Sequence, residues 1–362
     1  MIIVVITSIF MVVGVLDKLA LNGRLGYGAK FDEGIMAMGS LAISMVGVMC
    51  AAPLLGKFLT PVFTPLYHLI GGDPAMVAGV ILACDTGGYP LACAMTEDVM
   101  IQQLSGIYVG AMMGATIVFS IPVSLTIVKK EAQSYLAKGF LAGFIAIPIG
   151  ALVSAIAGGI PFLSALRNLL PLIVFALLLA AGMLAFPQGM LKGFHVFARI
   201  ITILIHIFFA AAILEELLGL VIIPGMDPIG PQLETVGVIA ITLAGAYPMV
   251  HFITTVFQKP LAALGRLLGV NAQSAAGMIA CLANNIPAFG MVQDMDPRGK
   301  VMAVAFSVCA SFALGDHLGY AASQAPGAVM PMIAGKLAGG IAALLIASLL
   351  TRRDAKASPK TI

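Results

Sequence analysis

Apolar runs separated by short polar segments fill most of the chain. A helix needs about 20 apolar residues, rising 1.5 Å each, to cross the hydrocarbon core of a bilayer. On that criterion the pattern predicts spanning helices at 2–21, 34–56, 104–128, 137–158, 167–187, 200–222, 234–257, 301–322 and 333–351. Two further apolar stretches are interrupted. Residues 75–95 contain "LACDTGGYPLA" (82–92), which places an acid beside Gly87, Gly88 and Pro90. Residues 272–293 contain Asn284, Asn285 and Pro287. Asp is costly in a bilayer, and Gly-Gly-x-Pro interrupts a helix. Both stretches are therefore predicted to be broken inside the membrane.

The two broken stretches resemble each other. "AGVILAC" (78–84) matches "AGMIAC" (276–281) with one residue deleted, and Pro90 then aligns with Pro287. Downstream, "LAGFIA" (141–146) faces "LAGGIA" (337–342), so the offset stays at 196–198 residues. A constant offset predicts two copies of one unit. Loop charge predicts how they lie. If every segment crosses, Lys and Arg divide 9 to 10 between the two sides. If both broken segments are re-entrant, the division becomes 16 cytoplasmic against 3 outside (Lys57, Arg167, Lys336). With only 272–293 re-entrant it is 14 to 5. The positive-inside rule selects the second arrangement, with the N-terminus outside and the C-terminus cytoplasmic.

Composition supports the membrane reading. Residues AVILMFWYC make up 60% of the chain and charged residues 10%, where a soluble domain has about 25% charged. Mean hydropathy is +1.08. The net charge of +3 forms no long basic run, which argues against nucleic acid as a partner. The five cysteines lack metal-site spacing, and no metal or cofactor is expected. Residues 2–16 have no basic flank and no clear cleavage site, and read as a retained helix. The fold class expected is an all-α polytopic membrane protein with two inverted repeats, broken or re-entrant helices and about 9–11 membrane segments. The repeats would occupy 1–165 and 189–351, joined by a linker helix at 166–188 and followed by a cytoplasmic tail at 352–362.

Broken helices that meet in mid-membrane offer free backbone groups to a polar solute. Asp85 supplies charge there, while Thr86, Tyr89, Asn284 and Asn285 supply hydrogen bonds. Glu33, in "FDEGIMAMGS" (31–40), is expected near the cytoplasmic mouth. Asp316 and His317, in "GDHLGY" (315–320), are expected late in a Gly-rich helix, where they could couple protons. The Gly-rich "GAMMGATIVFS" (110–120) reads as a close-packing face, with Thr116 and Ser120 available to line a path. Few basic residues are expected at depth. Glu215 and Glu216, after "FFAAAIL", read as residues at depth or at the outer interface, and His206 as a packing residue.

The stretches "FDEGIMAMGSLAISMVGVM" (31–49), "LACDTGGYPLA" (82–92) and "MMGATIVFSIPVSL" (112–125) resemble the ethanolamine-utilisation permease family of bacterial ethanolamine catabolic operons. The resemblance runs over nearly the whole chain and is most specific in the first copy. It implies uptake of ethanolamine across the inner membrane, with membrane lipid as surroundings and homo-oligomerisation left open. An ammonium alcohol wants a carboxylate and hydroxyl or amide partners, which Asp85 and the Asn pair provide. The alternative is an ion-coupled secondary transporter of another small amine, amino acid or organic acid. An intramembrane enzyme is disfavoured, because the chain has no HExxH and no GxSG motif.

Overall fold

The computed structural model describes residues 2–256 and 267–352. Among them there are helices and connections but no strand. Helices α1 (Ile2–Ala20) and α2 (Tyr27–His68) lead into the first broken stretch, α3 (Met76–Ile81) and α4 (Tyr89–Met95). The long helix α5 (Val99–Ile127) follows. Then come α6 (Gln133–Ala157), α7 (Phe162–Ala185), α8 (Pro187–Leu218) and α9 (Ile229–Val256). The second broken stretch is α10 (Ala272–Ala283) and α11 (Asn285–Gly290). The chain then runs through α12 (Pro297–Ala310), α13 (Asp316–Gln324) and α14 (Val329–Leu350). Among the described residues, seven helices are long and apolar enough to cross a bilayer, making this a multi-pass all-α membrane protein.

Three expectations need correction. Residues 301–322 are not one helix: α12 stops at Ala310 and α13 starts at Asp316, with Phe312 at φ +63° between them. The apolar run before the break suits a ten-residue helix over 75–84, but the helix ends at Ile81, because Leu82 and Ala83 are already extended. Lys336 is not a loop residue but a fully buried side chain of α14. Of the cationic residues assigned to the cytoplasmic side, Lys259, Arg266, Arg353, Lys356 and Lys360 lie outside the described residues, as does the tail from 353 onward.

Both broken stretches turn back on themselves. At the base of the first, the Thr96 hydroxyl donates to the Asp73 carboxylate at 2.9 Å, and Asp73 N–H donates to Asn168 Oδ1 at 2.8 Å. At the base of the second, Asn271 N–H donates to Asp296 Oδ1 at 2.8 Å, and the Asn271 amide donates to the Asp294 carbonyl at 2.9 Å. Each pair joins residues more than twenty positions apart, so each segment leaves where it entered.

Contacts with α6 separate the two bases. Lys300, just past the second base, lies over the Tyr135 ring at 5.6 Å, and Val301 and Val304 meet Gly139 near the start of α6. Tyr108, early in the helix that follows the first base, meets Gly158 at its other end. The bases therefore sit at opposite ends of α6.

Non-helical backbone inside a membrane protein must be satisfied by protein or cavity water. The first break is enclosed by a glycine ladder, while the Thr86 and Gly88 N–H groups donate to the Ala83 carbonyl. Gly106, Gly110 and Gly114 recur every fourth residue on α5, and a Cβ on them would meet Tyr89 Cα, Cys84 N and the Leu82 carbonyl oxygen at 2.5, 3.0 and 1.9 Å. Only glycine lets the two backbones lie that close. Gly87 is constrained twice, by φ +106° and by Val48, whose Cγ1 would lie 2.1 Å from a Cβ. The second break and the 311–315 break satisfy each other: Phe312 and Leu314 N–H donate to the Cys281 and Leu282 carbonyls at 2.9 and 2.8 Å. Helix α5 has i→i+5 turns over Gln103–Gly114 and Thr116–Ser120, a departure from α geometry found often at functional sites.

The hairpin geometry gives a labelling prediction. In a cysteine-free background, single cysteines at the exposed positions Leu69 and Glu97 should react with a membrane-impermeant thiol reagent from one face of the membrane. Cysteines at Leu267 and Asp294 should react from the other face. Labelling of Leu69→Cys and Glu97→Cys from opposite faces would show that 75–95 spans.

Candidate functional site

The first break places Asp85 between two short helices. Leu82 and Ala83 are extended, Thr86 and Gly88 N–H fold back onto the Ala83 carbonyl, and Pro90 sits in the first turn of α4. The Asp85 side chain is 13% exposed and faces a cavity of about 70 Å³. Ser44, Ala83, Thr86, Ala115, Phe119, Phe312 and His317 complete its lining. A water occupies about 30 Å³ in the liquid, so this space suits two waters or a solute of a few heavy atoms.

His317 Nε2 lies 3.8 Å from Asp85 Oδ1. On the other side of the ring, Nδ1 is 3.2 Å from Lys336 Nζ. An ammonium has donors only, so Lys336 donates and Nδ1 accepts, which leaves the ring proton on Nε2, facing the carboxylate. Lys336 Nζ also donates to the Ala111 carbonyl of α5. The Phe312 ring packs against the imidazole, with ring centroids 4.9 Å apart and planes tilted by 48°. The result is a buried row running carboxylate, imidazole, ammonium and backbone carbonyl.

Cys84 Sγ, the Asp85 carboxylate and a His317 nitrogen lie within 4.8 Å of one another. The Lys336 ammonium beside that imidazole already supplies positive charge, which works against a metal ion there.

A larger cavity, about 360 Å³, lies between α2, α9 and the second hairpin. Its lining includes Lys30, Glu33, Tyr247, His251, Asn284 and Pro287. The Tyr247 hydroxyl donates to Asp316 Oδ1 at 2.8 Å, so Asp316 is bonded to a lining residue of the large cavity while its neighbour His317 lines the small one. Glu33 is exposed and ion-paired with Lys30.

The predicted residues therefore divide. Asp85, Thr86 and His317 come together in the small cavity; Glu33 and Asn284 line the large one, with Asp316 bonded to its Tyr247. Asn284 also caps α11 by accepting from Ile286 N–H. Asn285 lies in neither cavity: it is fully buried, and its amide donates to Ser120 Oγ at 2.8 Å. Tyr89 points to Tyr320, ring edge to face at 6.5 Å. Asp316 and His317 stand at a helix start and not late in one.

Sequence reasoning missed Lys336 and Tyr247. The signal for Lys336 was present, since it is the lone charge in "VMPMIAGKLAGGIAALLIASLL" (329–350). Three residues into the predicted span 333–351, it reads as a residue of the helix end that reaches the outside.

A family model described as "Ethanolamine utilisation protein, EutH" matches residues 1–350. A "Probable ethanolamine permease EutH" of Listeria monocytogenes is 48% identical over 98% of this chain and 95% of its own length. A protein of the same name from Salmonella typhimurium is 46% identical over 93% of this chain and 88% of its own. An uncharacterised protein of Bacillus subtilis, YxeR, is 41% identical over 99% and 97%. No solved structure matches.

The buried row should behave as one energetic unit. His317→Leu removes a partner from Lys336 and should lower thermal stability in detergent sharply, because breaking a buried charged network costs roughly 3–5 kcal/mol. Adding Lys336→Met should recover part of that loss. A double-mutant cycle with strictly additive effects would show that the two side chains do not interact.

Proposed function

This chain belongs to the family of the ethanolamine utilisation protein EutH, and we propose on that premise that it is a multi-pass permease for ethanolamine uptake across the bacterial inner membrane, and not an enzyme. The observation that carries the site assignment is Asp85, an acid at a helix break facing a cavity of about 70 Å³. Ethanolamine at neutral pH is mostly a small ammonium alcohol. Its ammonium finds the Asp85 carboxylate, and a charge-assisted hydrogen bond is roughly twice as strong as a neutral one. Its hydroxyl finds Thr86 or Ser44. The Phe119 and Phe312 rings, edge to face at 5.6 Å, form an aromatic wall that favours a cation.

The larger cavity is the vestibule in this reading. Glu33 and Asn284 there would attract and desolvate the cation before it reaches Asp85. The Asn285–Ser120 bond holds the tip of the second hairpin against α5 and so shapes the route without touching the solute. Two clasped hairpins with bases at opposite ends of α6, at a constant sequence offset, support an inverted repeat, with α7 as the linker helix that has no counterpart. An anionic substrate is poorly served, because the Lys336 ammonium is bonded within the protein and the small cavity presents a carboxylate.

Asp85→Asn keeps the size of the side chain and removes its charge. A hydrogen bond to a charged group contributes roughly 1.5–3 kcal/mol, so ethanolamine should bind about ten- to a hundred-fold more weakly. A neutral diol of similar size should lose far less. Calorimetry or scintillation proximity on purified protein reads both. Unchanged ethanolamine affinity in a folded Asp85→Asn protein would move the cation site elsewhere.

A further inference from the structure

Lys336 is the one Lys or Arg among the described residues whose side chain is buried in the protein interior. Through His317 it stands opposite Asp85, so the protein itself sets one cation against one carboxylate at the small cavity. An ethanolammonium bound at Asp85 adds a second cation. A buried charge without a partner is costly, so the loaded site needs a second carboxylate. Besides His317, the titratable groups facing Lys336 are Cys84 and Asp85 from the first hairpin, Cys281 from α10 and Cys309 from α12. None of the three thiols supplies that charge without ionising. The other charge bearing on Asp85, beside that of Lys336, is Asp316.

Asp316 precedes His317, whose ring reaches Asp85. It stands in the first turn of α13, where a helix N-terminus favours negative charge. Its Oδ1 accepts from Tyr247, and its Oδ2 accepts no hydrogen bond among the described residues. Glu33 also faces it, but Glu33 is ion-paired with Lys30. We propose that Asp316 is the counter-charge of the bound substrate: Asp85 holds the ethanolammonium by a hydrogen bond while facing Lys336 through His317, and Asp316 brings the loaded site to two carboxylates against two ammonium groups. The inference rests on the ethanolamine reading of the Asp85 cavity. Without substrate the site carries one excess negative charge, on the carboxylate that Tyr247 and the helix start already stabilise. With substrate it carries none, and Lys336 keeps its proton. A neutral diol or a zwitterion leaves the excess uncorrected, so the site prefers a small monovalent cation.

Calorimetry on the purified protein compares ethanolamine with ethylene glycol, a neutral diol of similar size. Asp316→Asn keeps the size of the side chain and removes its charge. It should weaken ethanolamine binding about tenfold or more and leave ethylene glycol within about twofold. Asp316→Glu returns the charge and should recover most of the lost preference. A second measurement needs no variant. At about pH 8, above the range in which a carboxylate ordinarily takes up a proton, the heat of ethanolamine binding should be the same in buffers of different ionisation enthalpy. The loaded site is then neutral without a proton leaving it.

Equal losses for both ligands in Asp316→Asn would make Asp316 a structural residue of the α13 start and overturn the proposal. So would unchanged ethanolamine affinity in a folded Asp316→Asn protein. If that variant does not fold, the buffer series decides: release of about one proton per ethanolamine bound would show that deprotonation settles the charge count, and refutes the role of Asp316. Asp85→Asn in the same assay separates the two readings. A loss there with none in Asp316→Asn removes the proposal and leaves the Asp85 site standing. No loss there removes the Asp85 reading, and the proposal with it.

Discussion

Everything at the centre of this protein depends on bringing two backbones closer than side chains ordinarily allow. The first hairpin breaks its helix at the Leu82–Gly88 stretch, and the backbone groups released there lie against α5 at distances a Cβ would forbid. In water such a break would be solvated cheaply. Inside a membrane it must be enclosed by protein, and the enclosure is the ladder of Gly106, Gly110 and Gly114. The ladder positions Cys84 and Asp85, the position of Asp85 defines the small cavity, and the cavity is closed by Phe312 and His317 from a second irregular segment. That segment is supported in turn by the carbonyls of Cys281 and Leu282 at the other hairpin. Three interruptions of helix therefore hold one another, and none would persist alone in lipid.

The architecture was legible in the sequence where it depended on length and on breakers. Apolar runs of spanning length became long helices, and the Gly-Gly-x-Pro and Asn-Asn-x-Pro signals became hairpins closed at Asp73–Thr96 and Asn271–Asp296. The glycines of 110–120 read as a packing face, and Gly110 and Gly114 lie against the backbone of the first hairpin. The sequence was silent where tertiary contact decides. Residues 301–322 read as one helix because "SFALG" (311–315) carries neither Pro nor paired Gly; its break is stabilised by hydrogen bonds to residues some thirty positions earlier. A local pattern cannot report a partner that distant.

The candidate site was legible in part, for the same reason. Asp85 stood out because an acid beside a helix breaker is conspicuous in an apolar setting. Lys336 did not, since a single Lys near a helix end is usually a snorkelling or loop residue. Its burial follows from the close approach of α14 to α6 through Gly150, Gly335 and Gly339, which leaves no path for the ammonium to reach water. Symmetry of the two hairpin tips points to one shared site. Symmetry of backbone does not carry over to side chains: Asp85 lines a cavity, while Asn285, aligned with Gly88, is used to bond Ser120.

Asp316 and His317 are consecutive residues at the first turn of α13: His317 lines the small cavity, and Asp316 accepts from Tyr247, which lines the large one. Successive side chains on a helix diverge by about 100°. One peptide unit therefore separates the side chain that closes the small cavity from the one that holds Tyr247 at the large one, so a rotation of α13 about its axis would act on both cavities at once.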